Sequence, residues 1–176
     1  VVKAVPDLPI YLYNNPGVTP NTLSTEMVAR LATSFETIVG LKDSSGSLAT
    51  LFESRTLHGG VFNTASGPDG LIVAAQAVGV DACVSGNANL VPELVVSMVE
   101  ATKHGDMVTA RAQQAQLDAV RRILGDGADL SLFKAICARR GIPIGDVRAP
   151  LMSASAEKIE ACWQAISAIG VIPAPA

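Results

Sequence analysis

Lys42 follows a short apolar segment, Thr37 to Leu41, and opens directly onto the polar loop Asp43-Ser44-Ser45-Gly46. A lysine amine held among apolar groups loses the solvation that keeps it protonated. The neutral amine can then attack a ketone to give an imine, which acts as an electron sink for aldol chemistry. The position equally suits an ordinary lysine at a strand end, with its stem on apolar surface and its head in water. Tyr13 stands in the corresponding place, at the end of the apolar segment Leu8 to Tyr13 and just before Asn14-Asn15-Pro16. Across neighbouring strands about 4.8 Å apart the phenol and the amine can meet, and a phenol within reach of a substrate hydroxyl can relay its proton. A half-buried tyrosine with its OH on a backbone carbonyl is the plainer reading. Tyr11, two residues earlier on the same face, reads as a packing residue.

The elements that must position this pair repeat along the chain. After Tyr13 and its Asn/Pro/Gly turn, a helical pattern begins near Ser24 with Met27, Val28 and Leu31 as its buried face. After Lys42 and its loop, Leu48, Leu51 and Phe52 recur at helical spacing until Gly59-Gly60. A third strand near Val61 to Thr64 leads through Ser66-Gly67-Pro68-Asp69-Gly70 to a helix carrying Leu71, Ile72, Ala75 and Val78. A fourth, Ala82 to Ser85, leads through Gly86-Asn87-Ala88-Asn89 to a helix whose first turn holds Pro92. Four strand-loop-helix units imply α/β architecture with a parallel sheet, because crossover helices are what join parallel strands. A doubly wound open sheet shares this alternation and also binds ligands at the carboxyl ends of its strands. From Asp106 onward only helices are expected: Asp106 to Leu124, Leu130 to Arg140, and Ser155 to Ile169 with the apolar stripe Ile159, Cys162, Trp163, Ile166 and Ile169. The tail Pro173-Ala174-Pro175-Ala176 reads as a frayed end.

Composition narrows the partners. The 176 residues, 49% of them hydrophobic, suffice for a sizeable core but fall short of the roughly 250 residues of a complete eight-stranded barrel. Thirteen basic against 16 acidic residues, without a run of one sign, give no nucleic-acid or membrane-surface patch. Small molecules are the expected partners. Cys83, Cys137 and Cys162 lie far apart without metal spacing, which implies a reducing, cytoplasmic setting and no metal site. His58 and His104 sit beside glycines at helix ends and read as favourable C-terminal charges.

Leu12-Tyr13-Asn14-Asn15-Pro16 followed by Gly40-Leu41-Lys42-Asp43-Ser44 resembles the paired signature of the dihydrodipicolinate synthase and N-acetylneuraminate lyase family. The likeness continues through Ser66-Gly67-Pro68-Asp69 and through the stretch from Gly79 to Asn89 into the helical C-terminal part. By that resemblance the fold is a TIM (β/α)8 barrel with three extra helices. Residues 1–105 then correspond to the last four βα units, about the second half of the barrel, and 106–176 to the extension packed on it. The resemblance further implies an enzyme without a cofactor: Lys42 forms an imine with pyruvate or a pyruvate-derived 2-oxo acid, and Tyr13 shuttles protons as a carbon–carbon bond is made or broken. Ser44, Gly67 and Asp69 match positions lining the substrate pocket in sugar-acid lyases. Val84 matches one that approaches the imine through its backbone. Assembly as a homotetramer is expected on the same ground.

Two departures shape the expected substrate. Dihydrodipicolinate synthases carry an arginine two residues beyond Tyr-Asn-x-Pro to hold an aldehyde's carboxylate, and here that residue is Val18, which cannot donate a charged hydrogen bond. The acid that follows the counterpart of Asp69 in sialic acid lyases is Gly70. A shorter 2-keto-3-deoxy sugar acid or a 4-hydroxy-2-oxo acid is therefore expected, with dihydrodipicolinate synthesis as the alternative. The family's Gly-Thr-Thr-Gly-Glu type loop, which holds the pyruvate carboxylate, is expected in the barrel half that this chain lacks. A catalytically incomplete half-barrel, acting as an assembly module through its open sheet edges, is a reading of another class. An open-sheet protein binding a phosphorylated ligand is a third.

Overall fold

The computed structural model describes residues 1–127 and 129–172; the expected fraying of 173–176 lies outside them. The chain divides into two compact units, Val1–Ser85 and Gly86–Ala176.

In the first unit four strands, β1 (Ile10–Asn14), β2 (Ile38–Asp43), β3 (Asn63–Ser66) and β4 (Ala82–Cys83), pair in parallel in chain order. Helices α1 (Thr25–Ser34), α2 (Leu48–Ser54) and α3 (Ile72–Ala77) make the crossovers. Ser24 and Ser47 start the first two helices by accepting the amides of Met27 and Thr50. All three helices pack on one face of the sheet, where Val28, Ala32, Leu51 and Ala75 meet Ile38, Leu41, Phe62 and Val80 in one buried cluster. A doubly wound sheet would be covered on both faces; here the opposite face keeps Tyr11 and Tyr13 about half exposed.

Strand ends differ from those expected by a residue or two. Lys42 stands at the carboxyl end of its strand as expected, the penultimate residue of β2, which runs on through Asp43. A bulge pairs Ile10 with Ile38 but Tyr11 with Gly40. The extra residue lets Ile38 and Leu41 both reach the helix-side core while Gly40 and Lys42 turn to the open face. Three expected core residues are exposed instead: Met27, Phe52 and Val78. In α1 Val28 and Ala32 are buried, and in α2 Leu51 and Ser54. Spacings of three and four define one inward stripe, and Met27 and Phe52 lie one residue, about 100°, off it. Val78 falls just past the end of α3.

The second unit contains α4 (Pro92–Lys103), α5 (Met107–Ile123), α6 (Leu130–Arg139) and α7 (Ala156–Ile169), within about one residue of the expected bounds. Pro92 occupies the first turn of α4, and Asp106, Asp129 and Ser155 cap the other three. Leu94, Met98, Leu117, Val120, Ile136, Cys162 and Ile166 are buried. None of these helices is long and apolar enough to cross a membrane.

Asp129 does more than cap. Its carboxylate accepts Lys158 Nζ at 2.5 Å, the Leu132 amide at 3.0 Å and Ser131 Oγ at 2.8 Å. The Lys158 hydrogen bond, followed by that of the Leu132 amide, holds its pKa well below the usual carboxylate range. A depressed folded pKa gives stability that is present above the unfolded value of roughly 4 and is lost as pH falls toward the folded one. Thermal midpoints measured downward from pH 5 are expected to fall more steeply for the parent than for Asp129→Asn; parallel curves would contradict this linkage.

Candidate active site

The carboxyl ends of the four strands form one aligned row. Tyr13 pairs with Lys42, Lys42 with Ala65, and Ala65 with Ala82. One residue on, the ends of β1, β2 and β3 each accept a hydrogen bond from the residue that follows the neighbouring strand: Ser44 N donates to Asn14 O (2.8 Å), Gly67 N to Asp43 O (2.8 Å) and Val84 N to Ser66 O (2.9 Å). The sheet ladder thus extends into the loops and fixes three of the four residues expected to line a pocket. Asp69 opens the short turn Asp69–Leu71 beyond Gly67 and is half-buried.

Lys42 Nζ lies 4.2 Å from the centroid of the Tyr13 ring, within the range of an attractive ammonium–aromatic contact. The lysine is half-buried rather than enclosed by aliphatic groups. The Tyr13 phenol has its pKa lowered, first by hydrogen bonding from Ser44. Burial opposes the shift, while Lys42 and Asn15 add to it. Each of these partners stabilises the phenolate. Asn15 Nδ2 donates to Tyr13 Oη at 2.9 Å.

Behind this face a buried pair sets the register. Asn14, 3% exposed, donates through Nδ2 to Oδ2 of Asp43, 1% exposed, at 2.6 Å. The other oxygens reach into the loops: Asn14 Oδ1 accepts the amide of Leu23, and Asp43 Oδ1 accepts both the amide and the hydroxyl of Ser45. Asn14 and Asp43 are 29 residues apart, the same interval as Tyr13 and Lys42. A slip that broke the first pair would separate the second and send each side chain to the wrong face. Neither Asn14 nor Asp43 was expected as a site residue. Their signal in the sequence is that each directly follows a candidate catalytic residue and interrupts an apolar strand.

Gly67 has a reason to lack a side chain. A Cβ there would collide with Ser44 Oγ and stand 2.9 Å from Ser44 Cβ and 3.1 Å from Ser44 Cα, and the last of these cannot move without the backbone. Gly67→Ala is expected to destabilise the chain by about 1–3 kcal/mol. Adding Ser44→Gly should return most of that loss, and a urea denaturation cycle showing simple additivity would contradict the contact.

The Tyr11 ring lies over Gly40, where a Cβ would collide with it, and the side chain is otherwise about half exposed. His58 differs from its reading as a helix-end charge: it has a left-handed backbone, φ 50°, stacks on Phe62 and engages the carbonyl of Ile38. His104 does close α4, through the Glu100 carbonyl. Among the described residues no group of three or more His, Cys, Asp or Glu side chains is placed to hold a metal ion.

A parallel α/β unit with an apposed lysine and tyrosine at the carboxyl ends of adjacent strands defines the class of protein. The chain belongs to the dihydrodipicolinate synthetase family, whose sequence profile matches residues 1–169. It is 39% identical over 150 residues to an uncharacterized DapA-like lyase of Halobacterium salinarum, covering 85% of this chain and 49% of that protein. It is 34% identical over 172 residues to a 4-hydroxy-tetrahydrodipicolinate synthase of Thermosynechococcus vestitus, covering 98% and 58%. The structure of N-acetylneuraminate lyase from Aliivibrio salmonicida superposes with a TM-score of 0.86 at 24% identity, covering 97% of this chain and 57% of that one, a likeness of fold. The chain therefore spans about half the length of the curated relatives it matches.

Proposed function

We propose that the chain carries the reactive face of a Schiff-base aldolase or lyase acting on pyruvate or a pyruvate-derived 2-oxo acid. Residues 1–105 supply four βα units of a (β/α)8 barrel and 106–176 the helical extension. The observation that carries this reading is the Lys42 amine, 4.2 Å over the Tyr13 ring, at paired positions of adjacent strands.

In this mechanism the Lys42 amine attacks the 2-oxo carbon and water leaves, giving a protonated imine. For cleavage, the bond between C3 and C4 breaks and its electron pair flows into the imine to form an enamine. Tyr13 takes the proton of the C4 hydroxyl as that carbon becomes an aldehyde. The enamine is then protonated at C3, and water releases pyruvate and the free lysine. Condensation runs the same steps in reverse. Ser44, Gly67, Asp69 and Val84 border the site, and the Val84 amide donates to the Ser66 carbonyl, which fixes that backbone at the end of β3.

Val18 is 80% exposed and offers no charge to a second carboxylate, which favours a 2-keto-3-deoxy sugar acid or a 4-hydroxy-2-oxo acid. The relative named as a 4-hydroxy-tetrahydrodipicolinate synthase favours that synthesis as the second reading. The test is exchange of the pyruvate methyl hydrogens in deuterated water, followed by NMR. Exchange above the uncatalysed rate is expected, because an enamine must form. Exchange at the uncatalysed rate with a working relative alongside would sink the proposal. The sheet order, in which β1 and β4 each pair with one neighbour among the described residues, favours a further reading in which the chain pairs its edges with another half-barrel. A monomer at all concentrations by sedimentation would remove it.

A further inference from the structure

Asn15 fills the variable position of Tyr-Asn-x-Pro, where no chemistry is expected of it. Its carbonyl accepts three hydrogen bonds, from the amides of Val18 and Thr19 at 3.0 Å each and from Thr19 Oγ1 at 3.1 Å. The loop is thereby held in a fixed turn. From that turn the side chain reaches back two residues, and Nδ2 donates to Tyr13 Oη at 2.9 Å. Ser44, on the loop after β2, also lowers the phenol's pKa, and its amide donates a hydrogen bond to the Asn14 carbonyl. Lys42 is the charged group that the neighbouring strand turns toward the ring.

A phenolic oxygen offers one proton and accepts through its lone pairs. With the Asn15 amide donating to one lone pair, the phenol's own O–H is left for another group. We infer that Asn15 is a positioning residue: it keeps Tyr13 Oη an acceptor toward the protein, so that the phenol's proton is directed to the substrate and the phenolate is stabilised when that proton has gone. The inference rests on the proposed role of Tyr13 as proton shuttle. The phenolate takes a hydroxyl proton as the carbon–carbon bond breaks and returns it when the enamine is protonated, so no external acid or base is consumed.

The phenol can be read without any catalysis. Tyr11 and Tyr13 are the only tyrosines, so in a Tyr11→Phe background ultraviolet difference absorbance follows Tyr13 alone. Asn15→Leu is expected to move its titration to higher pH, because a donor to the phenolate is lost. Asn15→Asp should move it further, since a carboxylate would face the phenolate, and Asn15→Gln should recover part of the shift. A leucine variant titrating with the parent would overturn the inference. Should that variant fail to fold, equal midpoints for the aspartate and glutamine variants would overturn it as well. Absence of turnover with the expected order of midpoints would instead count against the Schiff-base reading alone.

Discussion

Tyr13→Phe should slow carbon–carbon cleavage by roughly 10²- to 10⁴-fold, the range that a positioned acid–base group contributes, while leaving imine formation at Lys42 nearly intact. The reasoning is geometric. Phenylalanine keeps the ring that lies 4.2 Å from Lys42 Nζ and removes only the oxygen that receives the Asn15 amide. Substrate therefore still reaches the amine, but the departing hydroxyl has no partner for its proton. Single-turnover measurements in a barrel-length relative, using the equivalent substitution, separate the steps: borohydride trapping should persist while aldehyde release collapses. A parallel loss of both would show that the ring, and not the proton, is what the tyrosine provides.

Lys42→Ala should abolish both trapping and methyl-hydrogen exchange, because without the amine there is no imine and no electron sink. Fold and stability should change little, since Lys42 is half-buried and faces the open side of the sheet rather than the cluster around Leu41 and Phe62. Lys42→Arg tests charge against nucleophilicity, because a guanidinium keeps the cation over the Tyr13 ring yet does not lose its proton near neutral pH. It should be as inactive as the alanine variant. Residual exchange in either variant would place the reactive amine elsewhere.

Much of this site was legible in the linear chain, and for a physical reason. Tyr13 and Lys42 each stand near the end of an apolar run and just before a polar loop, and parallel strands joined by crossover helices bring such ends together. The strand limits were less legible. An apolar run stops at Leu41, yet β2 continues through Lys42 and Asp43, because Asn14 satisfies the buried Asp43 carboxylate and lets a charged residue remain in the sheet. That pairing is between positions distant in sequence and leaves no periodic trace. Met27 and Phe52 were misplaced because a short helix has a narrow inward stripe, and being large and apolar does not put a residue on it. Asn15, the collision that excludes a Cβ at Gly67, and the stacking of His58 on Phe62 all depend on contacts that only the folded chain creates.

Mass spectrometry of the intact 176-residue chain and its peptides, after pyruvate and borohydride with Lys42→Ala alongside, tests the reactive amine most directly. Schiff-base chemistry at this site predicts one reduced adduct, confined to the peptide holding Lys42 and absent from the alanine variant. An unmodified Lys42 under conditions that label a barrel-length relative, or an adduct that survives in Lys42→Ala, would contradict it.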